Sequence, residues 1–459
     1  MTQTAFSALP LPPAQLQNLT AMGYTRMTPI QQLSLPAVLA GHDLIAQAKT
    51  GSGKTAAFGI GLMERLQPRL FAVQGLVLCP TRELATQVAA ELRRLARYRD
   101  NIKIITLCGG TPIGPQIGSL EHGAHIVVGT PGRVKDHLRK GTLTLERLHT
   151  LILDEADRML DMGFAEDISS IIDTTPASRQ TLLFSATYPA DIEALSARYQ
   201  RAPQRVTVAE EERPLEISQR AYLCDEPDKA ATLIALLQQL SPNAAVIFCN
   251  TRARCNEYAA ALKAAGFQSG VLHGDMEQRE RDQRITLFSN RSLRLLVATD
   301  VAARGLDIDA VDLVVNVDLP RDPAVYTHRI GRTGRAGRSG TALSLVGPKE
   351  QLKLERISAA QSGTLEVIAQ CPTPDPDYRP APAPMRTLAI AGGRKNKLRP
   401  GDILGTLTAT GKLQGEDIGD ISITDFTAYV AVKRALSEVA LEQIKSRTIK
   451  GKSFRVRKL

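Results

Sequence analysis

Two successive sets of short, unbroken apolar runs, each separated by amphipathic stretches, constrain this chain more than any other feature. In the first set LVLCP (76–80), IKIITLCGG (102–110), HIVVGT (125–130), LHTLILDE (148–155) and QTLLFSAT (180–187) alternate with helical patterns such as ELATQVAAELRRLARY (83–98). In the second set AAVIFCNT (244–251), QSGVLHGD (268–275), LRLLVATD (293–300), VDLVVNVD (311–318) and GTALSLV (340–346) repeat the arrangement. Strands that are apolar throughout are buried on both faces, as in a parallel sheet covered by its own crossover helices. The expectation is an α/β fold with two parallel-sheet domains, 1–208 and 217–370, joined by the polar segment AEEERPLE (209–216). No sequence repeat links the two halves, so kinship between them is architectural.

A small third domain follows. CPTPDPDYRPAPAP (371–384) holds six prolines in fourteen residues, a composition that reads as an extended, semi-rigid spacer, with the linker placed at 371–385. Beyond it, RTLAIAGG (386–393) reads as strand, PGDILGTLTAT (400–410) as helix, and DIGDISITDF (417–426) and TAYVAVKR (427–434) as adjacent strands. ALSEVALEQIKSR (435–447) then reads as helix and KSFRVRKL (452–459) as strand. The order is βαββαβ, an α+β layout.

Charge is unevenly spread. Residues 386–459 carry fifteen Lys/Arg against seven Asp/Glu, which accounts for eight of the chain's net +10. Such an excess points to a polyanionic partner, nucleic acid first, with a solvated basic face as the alternative. Trp is absent and aromatic residues make up 4% of the chain, which argues against base stacking on many aromatic platforms as the main mode. The six cysteines form no C-x-x-C pair, so zinc and redox motifs are not expected. No basic-then-apolar leader and no run of membrane-spanning length is evident, so the expected compartment is the cytoplasm, with no membrane partner.

Several ordered blocks carry chemistry. DLIAQ-AKTGSGKT-AAFGIGLMERL reads as strand, glycine-rich turn and helix, the context a phosphate-binding loop needs. Thr50, Gly51, Ser52 and Gly53 bring backbone N–H groups onto phosphate at a helix N-terminus. Lys54 reaches the β- and γ-phosphates, and Thr55 holds Mg²⁺. The usual first glycine of the pattern is Ala48 here. LHTLIL feeds directly into Asp154 and Glu155. Asp154 is placed to hold Mg²⁺ through water, and Glu155 to orient and deprotonate an attacking water. The alternative for DEAD (154–157) is an acid-rich helix start, favoured by the dipole.

These blocks, with PTRELA (80–85), TPGR (130–133), SAT (185–187), IFCNT (247–251), ATDVAARGLD (298–307) and HRIGRTGR (328–335) in that order, resemble those of DEAD-box RNA helicases. That family consists of ATPases built from two RecA-like lobes, and the resemblance covers residues 1 to about 370. GYTRMTPIQ (23–31) is similar to its Q motif. The resemblance implies that Gln31 reads the adenine edge, Tyr24 stacks on the ring and Phe6 supports it. An amide can pair bidentately with adenine; the alternative for Gln31 is a solvent-facing residue at a helix start. Thr81, Arg82, Gly110, Thr130 and Arg133 are implied to contact RNA backbone, the alternatives for Thr81 and Thr130 being helix N-caps. Ser185 and Thr187 are implied to couple nucleotide state to RNA grip. In the second half Arg332 and Arg335 match the arginine fingers, and Asp307 the ribose contact. Thr299 and Arg281 match RNA contacts, and His328 is expected to bridge motifs. Arg329, Arg332 and Arg335 are spaced to share one helical face, a solvent-facing basic helix being the alternative.

The third domain is similar to the RRM-like domain of a bacterial branch of that family. The resemblance implies recognition of a 23S rRNA hairpin near the peptidyl-transferase centre and of pre-50S particles, by a monomer. Ordinary RRMs stack bases on aromatics of the two central strands. Here the first strand has none, and only Phe426 and Tyr429 stand near the third, with core or strand-edge roles as alternatives. The expected contacts are therefore Arg394, Lys395, Lys397, Lys450, Lys452 and Arg455. The overall expectation is an RNA-dependent ATPase that separates short duplexes, using ATP and Mg²⁺. Its alternatives are an ATP-gated clamp that remodels without unwinding, and a partner-neutral basic domain at the C-terminus.

Overall fold

The computed structural model describes residues 4–48, 51–208, 217–300, 311–334, 339–361 and 364–459. Contacts divide the chain into two compact units, Met1–Glu211 and Glu212–Leu459. Thr50, Arg304, Asp307, Arg335 and the segment 209–216 lie outside the described residues.

The first unit contains β1 (Leu44–Gln47), β2 (Gly75–Leu78), β3 (Ile104–Leu107), β4 (Ile126–Gly129), β5 (Thr150–Asp154), β6 (Gln180–Ser185) and β7 (Gln204–Thr207). They form one parallel sheet in the order β3-β4-β2-β5-β6-β1-β7. Alternate residues along each apolar run face opposite sides. Val77 and Ile152 pack with Phe58, Ile60, Val88 and Leu92 of the helices Lys54–Arg65 and Arg82–Leu95. Leu76, Leu78, Leu151 and Leu153 pack on the other face with Ile168, Ile171 and Ile172 of the helix Ala165–Ile172. Each such buried side chain contributes roughly 1.5–3 kcal/mol relative to exposure, so both faces must stay covered.

The second unit opens with β8 (Ile217–Leu223), then β9 (Ala245–Cys249), β10 (Ser269–Leu272), β11 (Leu295–Thr299), β12 (Leu313–Asn316), β13 (Gly340–Val346) and β14 (Leu365–Ile368). Their order is β10-β11-β9-β12-β13-β8-β14, all parallel. Numbered from its own first strand, each seven-stranded sheet has the same order, 3-4-2-5-6-1-7. The kinship between the halves is thus one of topology. Neither β7, β8 nor β14 is marked by an apolar run. β7 and β14 are sheet edges with largely exposed side chains. β8 alternates, and its buried Gln219 accepts a hydrogen bond from the Tyr326 hydroxyl at 3.1 Å.

A third sheet contains β15 (Met385–Ile390), β16 (Ile418–Ile423), β17 (Ala428–Lys433) and β18 (Val456–Lys458), antiparallel in the order β16-β17-β15-β18. The helices Pro400–Thr408 and Ser437–Ser446 cover the face made by Leu388, Ile390, Val430 and Val432. This is the βαββαβ layout.

The proline-rich stretch differs from a solvated spacer. Asp375 and Gln238 exchange two hydrogen bonds, Asp375 N to Gln238 Oε1 at 2.8 Å and Gln238 Nε2 to Asp375 O at 2.9 Å. Tyr378 meets Ser241 Oγ at 2.7 Å and stacks beside Phe267, and Arg294 donates to the Ala381 carbonyl at 3.0 Å. Proline keeps this strap extended and leaves it with fewer N–H groups of its own. Its carbonyls and its one tyrosine hold it along the second parallel-sheet domain. Past the strap, Asn290 Nδ2 donates to Thr387 Oγ1 at 2.8 Å, and Ser292 Oγ lies 2.7 Å from the same hydroxyl.

Candidate functional site

In a parallel sheet every strand ends on the same edge, and side chains just past those ends converge. The first unit divides that edge into two halves. The strands β5, β6 and β1 carry the nucleotide candidates, and β3, β4 and β2 carry the candidates for RNA contact.

On the nucleotide side, the turn after β1 takes left-handed backbone at Gly51 (φ 83°) and Gly53 (φ 94°). A side chain at Gly53 would lie 2.5 Å from the Gln31 amide nitrogen, so this turn admits only glycine. Lys54 starts the following helix, is 6% exposed, and donates from Nζ to the Ala48 carbonyl at 2.9 Å. Ala48 N in turn donates to Ser185 O at 3.0 Å, joining the loop to β6. Ala48 is itself buried, so the departure from the usual glycine is accommodated at the mouth of the loop. Thr55 is half-buried on the next position of the helix.

Asp154 ends β5 at 3% exposure, and its Oδ1 has no hydrogen-bond partner. Burial pushes its carboxyl up to about 6, against the pull of Lys54 and with the push of Glu155. A buried carboxylate oxygen with no donor is costly unless a cation or donor reaches it. Among the described residues no cluster of three or more His, Cys, Asp or Glu side chains is placed to hold a metal alone. Glu155 adopts left-handed backbone (φ 52°), uncommon for a side chain this large, and its carboxylate pairs with Arg158.

Sequence reasoning missed Asp157. It is 7% exposed, and its Oδ2 accepts from Thr187 Oγ1 at 2.8 Å, Thr187 N at 2.9 Å and Ala186 N at 3.2 Å. The last acid of DEAD therefore clamps SAT, and any shift of one block is felt by the other. Ser185 is 2% exposed and its Oγ has no partner.

Gln31 is 1% exposed, so the solvent-facing alternative does not hold. Its Oε1 accepts from Thr28 N at 2.9 Å, and its Nε2 donates to Gly53 O at 3.1 Å. One amide thus caps its own helix and touches the phosphate loop. Phe6 is buried at 3% exposure, its ring 6.2 Å from that of Tyr24. The Tyr24 hydroxyl donates to Glu91 Oε1 at 2.6 Å.

On the other half of the edge, three segments meet. The Arg82 guanidinium fills the space beside Gly110 (φ 70°), where a Cβ would lie 2.1 Å from Nη1. Arg133 donates twice to the Thr111 carbonyl, at 3.1 and 3.0 Å. Thr81 is buried and N-caps its helix, its Oγ1 accepting from Leu84 N at 3.3 Å. Thr130 occupies the N-cap of Pro131–Arg139 without a side-chain cap bond.

In the second unit the arginine spacing needs correction. The helix Pro323–Ile330 ends before Gly331, so Arg329 and Arg332 do not share a helical face. Arg329 is 2% exposed and holds three strand ends together. It pairs with Asp300 at 2.6 and 2.7 Å, and donates to Asn316 Oδ1 at 3.1 Å, Asp318 O at 2.7 Å and Asn250 Oδ1 at 2.8 Å. Arg332 lies in the turn beyond, half-buried. Thr299 ends β11 at 9% exposure, Arg281 lies half-buried on the helix Gln278–Ser289, and His328 is exposed.

In the third domain Arg394, Lys395, Lys397, Lys450, Lys452 and Arg455 are all exposed. Tyr429 is 4% exposed, and Phe426 precedes β17, in the turn, at 70% exposure.

Residues 28–195 match the DEAD/DEAH box helicase family, 228–337 the helicase conserved C-terminal domain, and 387–458 the DbpA RNA binding domain. The chain is 52% identical over 457 residues to the ATP-dependent RNA helicase DbpA of Escherichia coli, covering 99% of this chain and 100% of that one. It is 44% identical over 355 residues to the DEAD-box ATP-dependent RNA helicase CshA of Bacillus cereus, covering 77% of this chain and 67% of that protein. Among solved structures it is similar to S. cerevisiae Dbp5 bound to RNA and ADP BeF3, with a TM-score of 0.73 and 32% identity over 80% of this chain and 96% of the other. No described helix is long and apolar enough to cross a membrane. Two topologically matched parallel sheets, a phosphate loop facing a buried Asp-Glu pair, and near-complete coverage by one relative lead to the same conclusion: the chain belongs to the DEAD-box ATP-dependent RNA helicases, in the branch that carries a DbpA-type RNA-binding domain.

Proposed function

We propose that this helicase works on 23S rRNA during assembly of the large ribosomal subunit, as a cytoplasmic monomer held at its target by the C-terminal domain. The observation that carries this reading is the division of labour within the fold. The two parallel-sheet domains offer backbone-type contacts that read no sequence, Thr81, Arg82, Gly110, Thr130 and Arg133 in the first and Arg281 and Thr299 in the second. The strongly basic third domain is the part available to supply an address. Tethering raises the effective concentration of the ATPase at helices near the bound hairpin.

At the nucleotide site, Lys54 would leave the Ala48 carbonyl for the β- and γ-phosphates, and Glu155 would accept a proton from the attacking water. Thr55 and the partnerless Oδ1 of Asp154 fit a Mg²⁺ ion brought with ATP, which supplies charge neutralisation at the phosphates. Arg332 and Arg335 would supply positive charge to the transferring phosphoryl group, and Asp307 would hold the ribose. Ser185, Thr187 and His328 would report nucleotide state, Thr187 through the Asp157 clamp.

Gln31 would exchange Gly53 O and Thr28 N for the adenine edge, with Tyr24 stacking and Phe6 behind it. Replacing it, Gln31→Ala, is expected to lower the preference for ATP over GTP by about ten- to hundredfold, the value of one bidentate base contact. Competition binding of the two nucleotides checks this; unchanged preference would remove the adenine assignment.

The address is tested by strand separation. A short RNA duplex joined to a hairpin fragment of 23S rRNA is expected to be unwound much faster than the same duplex joined to an unrelated hairpin. Equal rates would leave the helicase and remove the address.

A further inference from the structure

The sheet face on which an ordinary RRM stacks RNA is closed in this chain. Its outward positions on the two central strands are Thr387 and Ala389 on β15, paired with Ala431 and Tyr429 on β17. All four are buried, at 0%, 6%, 0% and 4% exposure. The second parallel-sheet domain reaches two of them, Thr387 and Tyr429. Asn290 and Ser292 bind the Thr387 hydroxyl, and the charges of Arg279 and Asp282, on the helix Gln278–Ser289, act on the Tyr429 hydroxyl. Bases cannot stack on a surface already occupied by protein.

The far end of the same strands is different. Ile390 pairs with Ala428 and with Val456, so three loops gather where these residues lie. The loop after β15 is tied to the β16–β17 turn, Arg394 N donating to Thr424 O at 2.9 Å and Lys395 N to Asp425 O at 3.0 Å. The approach is so close that a side chain at Gly393 would meet the Thr424 carbonyl at 2.3 Å. Lys450, from the loop before β18, donates to Lys397 O at 2.9 Å. Phe454 packs on Gly392 from the same side. Arg394, Lys395, Lys397, Lys450, Lys452 and Arg455 are all exposed on these loops. Among them stands Phe426, 70% exposed, the most exposed large hydrophobic side chain among the described residues. Arg394 pairs with Asp425, the residue before it, at 3.1 Å, which fixes the turn that presents the ring.

We propose that Phe426 is the base-stacking residue of the third domain, and that RNA is recognised at this loop end rather than on the sheet. The proposal rests on the reading of the third domain as the RNA-addressing part. The division of roles is physical. The lysines and arginines bind phosphate and register the strand. An aromatic ring on a fixed turn takes an unpaired base against its face, the one element here that can favour an unstacked loop nucleotide over a paired one. Sealing the sheet face against the second parallel-sheet domain leaves this end, one β15 length from the strap, to meet RNA.

The test is equilibrium binding of the full-length protein to two fluorescein-labelled RNAs at fixed salt: a hairpin fragment of 23S rRNA and an unrelated hairpin of equal length. Phe426→Ala is expected to weaken binding of the preferred RNA about ten- to hundredfold, the scale of one stacked base. Phe426→Trp should restore it, because any aromatic face serves. The paired change Lys395→Ala with Lys397→Ala, titrated at several salt concentrations, should instead flatten the salt dependence, by about 0.7–0.9 in slope for each phosphate no longer neutralised. Wild-type affinity for Phe426→Ala on both RNAs would overturn the stacking role. Equal wild-type affinity for the two RNAs would overturn the rRNA address alone, and weakened binding of both by Phe426→Ala, rescued by Trp, would still support Phe426.

Discussion

Glu155→Gln is expected to lower ATP turnover by about 10²–10⁴-fold, the range for loss of a general base, while leaving equilibrium binding of ATP and RNA close to wild type. The structure gives specific reasons for that separation. Glu155 sits in left-handed backbone at the turn from β5 into Ala156–Asp161, and Gln meets the same backbone strain as Glu. The carboxylate faces Arg158, and a glutamine oxygen can still accept from that guanidinium. What Gln cannot do is take a proton. The neighbouring Lys54, which would meet the phosphates, and Asp154, which would hold Mg²⁺, are untouched. Stopped turnover with nucleotide affinity retained, read by fluorescent-nucleotide titration beside phosphate release, supports the base role. A parallel fall in affinity would reassign Glu155 as a residue that positions the site.

Arg329→Ala is expected to cost about 3–5 kcal/mol, the scale for removing one partner of a buried ion pair. In a domain of this size that is on the order of 10 °C in melting temperature. The guanidinium is 2% exposed and reaches Asp300, Asn316, Asp318 and Asn250, which lie at or just past the ends of β11, β12 and β9. Truncation leaves Asp300 without its bidentate partner and the buried Asn316 amide oxygen without this donor. Arg329→Lys should recover little, since an ammonium cannot reproduce the planar fork. Arg332→Ala, three residues on, should show the opposite pattern. Its stability change should stay within about 0.5 kcal/mol as for most surface changes, while turnover falls by roughly 10³–10⁵-fold if it serves as a finger. Thermal melts and steady-state rates on the two variants separate the roles. Equal melting temperatures would contradict the assignment of Arg329 as the structural hub.

That contrast shows where sequence reasoning reaches and where it stops. The central strands β2, β4, β5 and β6, and their counterparts β9, β11, β12 and β13, are legible because burial on both faces demands unbroken apolar runs. The edge strands β7 and β14 face solvent, and nothing in QRVT or LEVI distinguishes them from loop. The phosphate loop and Asp154-Glu155 are legible because their chemistry is local. Asp157 and Arg329 are not, since their partners lie 29–30 and 11–79 residues away and only the fold brings them together. Three-residue spacing also suggested one face for Arg329 and Arg332, but a helix that stops at Ile330 leaves one arginine in the core and the other in a turn. The strap shows the same limit. Proline content reads as a spacer, whereas contacts through Asp375, Tyr378 and Ala381 hold it in place.

The proposed rRNA address implies that ATP hydrolysis by this helicase is switched on by one ribosomal RNA. The most direct measurement is the steady-state ATPase rate of the full-length protein with a 23S rRNA hairpin fragment and with an unrelated RNA of equal length. Salt is held fixed, because phosphate-driven affinity falls steeply with it. Strong stimulation by the rRNA fragment is expected at concentrations where the unrelated RNA gives little. Equal stimulation by both would contradict it, leaving an ATP-dependent RNA helicase with no address written in its third domain.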